Sequence, residues 1–272
     1  MPVLLLLLTM IAAPPVEGPD AREIMRKASE RNERIWKLAR QYTFVQRSEE
    51  RTLDAKGNVK SRESHTFDVT MLEGAPYSRL IAKDDKPLSA KDEKKEQERL
   101  DKSMREDEKE RAKRRAETEK RREEGRKFML EIQDAYDFRR LSDETLDGRA
   151  LFVLDAKPRP GYKAKTREGG MLSKMRGRLW IDQEEFTWVK AEVEVIDTIS
   201  LGLFLVRINK DMRMSFTSAR VNDEVWMPKS AVLRGSARLA LLKKINGEFE
   251  TTWRDYKRFQ TESKIVAIEP VK

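Results

Sequence analysis

The 272-residue chain contains no cysteine and a single histidine, His65. The first absence excludes disulfides, thiolate nucleophiles and cysteine metal sites. It also suits an oxidising compartment, where stray thiols would pair. The second excludes a histidine-rich zinc centre and leaves His65 as the only histidine on which a Ser-His-Asp triad could turn. Aromatic residues make up only 7% of the chain, and hydrophobic residues, at 38%, are outnumbered by charged ones, at 39%. No P-loop, other phosphate-cradling glycine loop or EF-hand pattern occurs. Long apolar runs are also scarce. The conspicuous one, residues 3–13 (VLLLLLTMIAA), has eleven residues, whereas a membrane-spanning helix needs about 20. That length matches the apolar core of a secretory signal, with a buried core segment as the alternative. The expected division is a signal peptide at 1–18 and a single domain at 19–272, exported to the periplasm and soluble after signal removal. No cysteine stands near the cleavage region to carry a lipid anchor.

What is present falls into three blocks. Residues 20–40 read as a helix, with Asp20 as cap and Ile24, Ala28, Ile35 and Leu38 on one apolar face widened by Met25 and Trp36. From Tyr42 the period changes to two, and strands are expected at 42–47, 59–71 and 77–82, the first two joined by a turn at Lys56, Gly57 and Asn58. The composition then shifts abruptly. Between residues 91 and 127, 29 of 37 residues are charged, 16 basic and 13 acidic. Glu, Lys, Arg and Ala favour helix, and Ser89 with Asp92 offers a cap. This insertion is expected either as one solvated helix of about 50 Å or as a helical hairpin, docked by Phe128, Met129, Leu130 and Ile132.

The third block returns to strands, at 149–156, 177–182, 187–197, 203–209, 212–218, 223–234, 237–245 and 248–259, with a turn at Asn246-Gly247. Val189, Ala191, Val193 and Val195 alternate with Lys190, Glu192 and Glu194, a strand with one dry and one wet face. The series predicts an α+β, mainly β protein: a continuous antiparallel meander forming a large curved sheet, or incomplete β-barrel, covered by helices and bearing a long charged helical insertion.

A curved sheet under a helical cover can enclose an apolar cavity. Its candidate lining is Leu179, Ile181, Val189, Val193, Val195, Phe204, Val206, Met212, Met214 and Phe216, each of which is alternatively plain core. Methionines suit a pocket that adapts to flexible chains. Parity places Trp180, Trp188 and Trp226 beside charged neighbours, as half-buried surface anchors or as a cavity rim. The basic loop at 157–167 supplies candidate anion contacts in Arg159, Lys163, Lys165 and Arg167, alternatively solvated. His65, on one face with Phe67 and Val69, reads as a partly buried strand residue. Carboxylates such as Asp182, Glu184, Glu185, Asp197 and Asp211 are plentiful, but nothing singles out an acid–base pair, so no catalytic residue, cofactor or metal is expected. The net charge of +9 does not point to nucleic acid, because the charged stretch contributes only +3 and lacks aromatics to stack on bases.

The segments GRLWIDQEEFTWVKAEVEVID and RINKDMRMSFTSARVNDEVWMPKSAVLRGSARLALLKK, the pattern G-x-L-W-I-D and the terminal WRDYKRF resemble periplasmic lipoprotein-carrier proteins (LolA/LolB-like), in particular the outer-membrane lipoprotein-sorting-like branch. The resemblance spans roughly residues 20–260. It implies an incomplete antiparallel barrel closed by helices that holds acyl chains on its concave side, with a lipid or an acylated protein as ligand. The charged insertion departs from that pattern, and no family functional residue is matched to this sequence. Three functions follow: a non-enzymatic binder of apolar ligands; a cell-envelope scaffold that recruits an envelope protein or membrane surface through the charged helix; and an enzyme, which requires a polar cleft around His65 or a carboxylate pair.

Overall fold

Asp20 begins the first helix by accepting the Glu23 N–H at 2.8 Å, which satisfies a first-turn donor that has no helical partner. The helix, α1 (Ala21–Ala39), buries Ile24, Met25, Ala28 and Ile35, the predicted face. The computed structural model describes residues 18–72, 75–201, 206–239 and 243–259; the apolar run at 3–13 and Phe204 lie outside them. Three antiparallel strands follow: β1 (Tyr42–Leu53), β2 (Val59–Leu72) and β3 (Ala75–Lys83). The β1–β2 turn forms around Asp54, whose carboxylate accepts the Lys56 and Asn58 N–H groups at 2.8 and 2.9 Å. Gly57 takes the positive φ of +86° that the turn requires. The short β4 (Lys86–Pro87) ends this block.

The charged insertion is two helices, α2 (Ala90–Met104) and α3 (Glu108–Ala135), rather than one rod. Asp107 accepts the Glu110 N–H at 2.8 Å and so starts a new helix where a single one would have continued. Neither helix is free of the body. Along β3, α2 covers the unpaired edge: Glu96 accepts the Leu80 N–H at 2.8 Å, and Arg99 donates to the Ser78 carbonyl. Such capping removes a template for strand addition. α3 packs on α1 and touches β3.

The remaining strands are β5 (Tyr136–Arg140), β6 (Glu144–Leu146), β7 (Arg149–Pro158), β8 (Met175–Asp182), β9 (Trp188–Val195), β10 (Ile199–Leu201), β11 (Val206–Ile208), β12 (Arg213–Val221), β13 (Val225–Leu239) and β14 (Lys243–Arg258), with a 3-10 turn at Glu168–Lys174. They join one open 14-stranded sheet in the order β4-β3-β2-β1-β14-β13-β12-β9-β8-β7-β5. From β7 to β14 the path is the expected antiparallel meander, with β10 and β11 off it, and β1 pairs with β14, so the first and last described strands are neighbours mid-sheet. One correction concerns Asn246-Gly247, which is not a turn but lies inside β14. Gly247 pairs with Gly235 and Thr52, and a β-carbon on it would stand 2.7 Å from the Arg51 carbonyl oxygen. The glycine serves close strand approach.

The two faces of the β1 region differ sharply. On one, Arg47, Glu49 and Arg51 alternate along β1. Glu49 is 1% exposed and ion-paired with Arg47, Arg51 and Arg62. Arg62, Arg47 and Arg51 overcome its burial and hold its carboxyl at a pKa of about 2. In the β7–β9 region both faces are dry. Phe152, Leu154, Leu179, Ile181 and Ala191 pack under Ile24, Met25 and Ala28 of α1. Leu151, Val153 and Trp180, of opposite parity, form a second cluster with Val189, Val225, Trp226 and Met227.

Candidate functional site

Register decides which side chains meet beneath the helices. Across β8, β9 and β12, Leu179 lies opposite Ala191 and Ala191 opposite Phe216; one step along, Gly177, Val193 and Met214 make a parallel row. These two rows floor a cavity of about 490 Å3. Ile35 and Trp36 of α1 and Phe128, Met129 and Ile132 of α3 wall it from above. Among the described residues its charged lining is Arg176, whose guanidinium is 2.8 Å from Glu194, and no carboxylate lines it. The other polar side chains there include Asn32, Thr187 and Ser218. Its volume falls in the range of small-molecule pockets in general, and its lining is mostly apolar.

A β-bulge sets the composition of the floor. Trp180 pairs with Lys190, but Ile181 pairs with Trp188, so Val189 is an extra residue. A bulge reverses the parity of what precedes it. Trp188 therefore turns to the cavity, while Val189, which does not line it, clusters with Leu151, Val153 and Trp180. Trp226 is buried and also lines the cavity. Trp180 is buried on the far face, where its Nε1 donates to Glu144 at 2.8 Å and the Lys190 Nζ lies 4.2 Å from its ring centre. None of the three is a surface anchor.

Of the predicted lining residues, Leu179, Val193, Met214 and Phe216 line the cavity. Ile181 is fully buried beneath α1, and Val189 faces away. Val195 and Met212 pack with Ile199 in a separate cluster, and Val206 is half-buried on β11. The wall residues Ile35, Trp36, Met129 and Ile132 were not among the expected lining. The helical periodicity around Ile35 and Trp36 was visible in the sequence, but only the packing of α1 over β8 and β9 shows what that face covers.

The basic loop is held away from the cavity by an acidic residue. Glu131 of α3 is 3% exposed. Its carboxylate accepts the Lys165 N–H at 2.6 Å, the Thr166 N–H at 3.4 Å, the Thr166 hydroxyl at 2.5 Å and the Tyr162 hydroxyl. Burial opposes ionisation of Glu131, but these donors outweigh it and hold the carboxyl below its ordinary range. Burial and Glu131 together push the Tyr162 hydroxyl up. Arg159 pairs with Asp137 at 2.8 Å and Lys165 with Asp134 at 2.5 Å, while Lys163 and Arg167 stand exposed and have no ion pair among the described residues. None of the four lines the cavity. The clasp positions its wall instead, since Tyr136 and Leu172, which line the cavity, are joined by a 2.9 Å hydrogen bond just beyond it.

Asp182 ends the G-x-L-W-I-D pattern as a buried turn cap. It accepts the Glu185 and Glu184 N–H groups at 2.8 and 3.1 Å and binds Arg149 at 2.5 Å. Burial opposes its ionisation, and Arg149 and the two N–H groups win, lowering its pKa. His65 is half-buried, stacked on Phe67 with its Nε2 3.3 Å from Glu63; it does not line the cavity. Among the described residues no group of three His, Asp or Glu side chains is placed to hold a metal ion, and no helix is long and apolar enough to cross a membrane.

The chain is similar in fold to several proteins of known structure. A putative outer membrane lipoprotein-sorting protein domain from Vibrio parahaemolyticus is 13% identical, with 89% of this chain and 94% of that one covered at a TM-score of 0.39. A LolA superfamily protein from Nitrosomonas europaea is 12% identical, with 89% and 95% covered at a TM-score of 0.33. The MucA/MucB complex of Pseudomonas aeruginosa contains a chain that is 12% identical, with 83% and 92% covered at a TM-score of 0.26. The first two carry the class name that the sequence motifs resemble. No family model and no curated protein matches the chain.

Proposed function

We propose that the protein is a non-enzymatic periplasmic carrier that holds an acyl chain, from a lipid or an acylated protein, between the concave face of its sheet and the roof formed by α1 and α3. The observation that supports this reading most is the 490 Å3 cavity whose floor and roof are aliphatic, aromatic and methionine side chains. Methionines at 129, 175, 214 and 227 line it, and their unbranched side chains adapt to a flexible chain.

The test is uptake of a fluorescent fatty acid by the purified protein, with native mass spectrometry for co-purified lipid. Met214 is 42% exposed at the edge of the cavity, so Met214→Glu leaves the fold intact and places a carboxylate where the chain enters. A loss of affinity of about tenfold or more is expected, since an unpaired charge beside an apolar ligand is strongly disfavoured. Absence of uptake by the wild type, with no co-purified lipid, refutes the reading. Recruitment of an envelope protein by the charged helices is the second reading. It draws on the exposed outer positions of α3, including Lys109, Lys113 and Glu117.

A further inference from the structure

A second apolar compartment adjoins the first. About 410 Å3 in volume, it lies between the α1–α3 roof and β1–β3, and its walls include Phe44, Val69 and Met71. Trp36 and Ala39 line both compartments, so the two spaces are neighbours on one side of the sheet, with Trp36 between them. Their chemistry differs. Among the described residues the larger is lined by one arginine, Arg176, paired with Glu194. The smaller is lined by two, Arg40 at the C-cap of α1 and Arg122 on α3, and by no described carboxylate. Both arginines reach the same acid: Glu119 lies 3.2 Å from Arg40 and 3.3 Å from Arg122. The two guanidiniums at this apolar space thus share one carboxylate among the described residues.

We infer that the ligand is an anionic amphiphile, with its chain in the larger cavity, its path bordered by Trp36, and its headgroup bound by Arg40 and Arg122. This rests on the proposed apolar-carrier function and adds the charge of the ligand and the position of its head. A guanidinium offers paired N–H donors that suit either a carboxylate or a phosphate, so the shared chemistry is a compact anion on one apolar chain. The basic residues of the 157–167 loop, Arg159, Lys163, Lys165 and Arg167, line neither compartment, whereas Arg40 and Arg122 line the smaller one.

The experiment compares three ligands of equal chain length on the full chain: palmitate, hexadecyl phosphate and uncharged hexadecanol, each by displacement of a fluorescent fatty alcohol at low salt. The wild type is expected to bind at least one anion about tenfold more tightly than hexadecanol; which anion leads separates a carboxylate from a phosphate source. The pair of changes Arg40→Gln and Arg122→Gln is expected to abolish that preference and leave hexadecanol binding unchanged, while Arg40→Lys with Arg122→Lys restores most of it and controls for folding. Equal binding of all three ligands by the wild type, or an anion preference that survives the Gln changes, overturns the headgroup assignment and leaves the apolar-cavity reading standing. Failure of all three to bind removes both.

Discussion

Replacing Glu131 by glutamine tests whether a single buried carboxylate ties the end of the roof helix to the loop beneath it. Glu131 is 3% exposed. One of its oxygens takes three donors, from Tyr162, Lys165 and Thr166, and the other takes the Thr166 hydroxyl. Glutamine preserves shape and one oxygen but removes the charge. Hydrogen bonds to a charged group contribute about 1.5–3 kcal/mol and neutral ones about 0.5–1.5. Each of the three retained bonds therefore weakens by about 1 kcal/mol, and the variant is less stable by about 3 kcal/mol. For a chain of this size each kcal/mol moves the melting temperature by about 2–4 °C, so a fall of roughly 6–12 °C at pH 7 is expected in a circular-dichroism melt. The loop also becomes accessible, and trypsin cuts sooner at Lys163, Lys165 or Arg167. The pH dependence has a definite sign. The folded carboxyl titrates below its ordinary value, so its contribution is fully present above the unfolded pKa of about 4.3 and is lost as pH falls through the folded one. The gap between wild type and variant must narrow below about pH 4. A difference under about 0.5 kcal/mol at pH 7, or one that stays constant down to pH 3, refutes the reasoning.

Other perturbations probe the sheet itself. Glu49→Gln disrupts the network with Arg47, Arg51 and Arg62 and is expected to cost about 2 kcal/mol at pH 7. Because the folded carboxyl titrates at about 2, that deficit is complete above about pH 4.3 and disappears as pH falls toward 2, which denaturant titrations at several pH values measure. Glu96→Ala bares the Leu80 N–H on the β3 edge; light scattering is expected to show concentration-dependent association, and a monomer as stable as the wild type counts against edge protection as the function of α2.

The elements were largely legible because their signals are local. Asp20, Ser89 and Gly57 mark a helix cap, a second cap and a turn through interactions that span a few residues. Alternation along β9 showed a strand. Both outcomes for the charged stretch were open, and the break at Asp107 chose two helices through a side-chain cap that a charge count does not reveal. The turn at Asn246-Gly247 was misread because a glycine that allows close strand approach looks the same in sequence as one that makes a bend.

The site depended on tertiary structure. Leu179, Val193, Met214 and Phe216 could be picked out by parity, but Val189 and Trp188 exchanged faces at a bulge that exists only because β8 and β9 pair in one register. Both faces of β7 and β8 are buried because side chains of each parity pack into a cluster of their own. Arg40 and Arg122 are 82 positions apart in sequence (122 minus 40) and gain a common role only when α3 lies against α1. The sequence alone determined that the chain would make one-sided strands, capped helices and a cysteine-free core, since those follow from the residue types and their immediate neighbours. Which apolar faces meet, and which charged side chains lie beside them, was decided by long-range register and helix docking, which no short window of sequence contains.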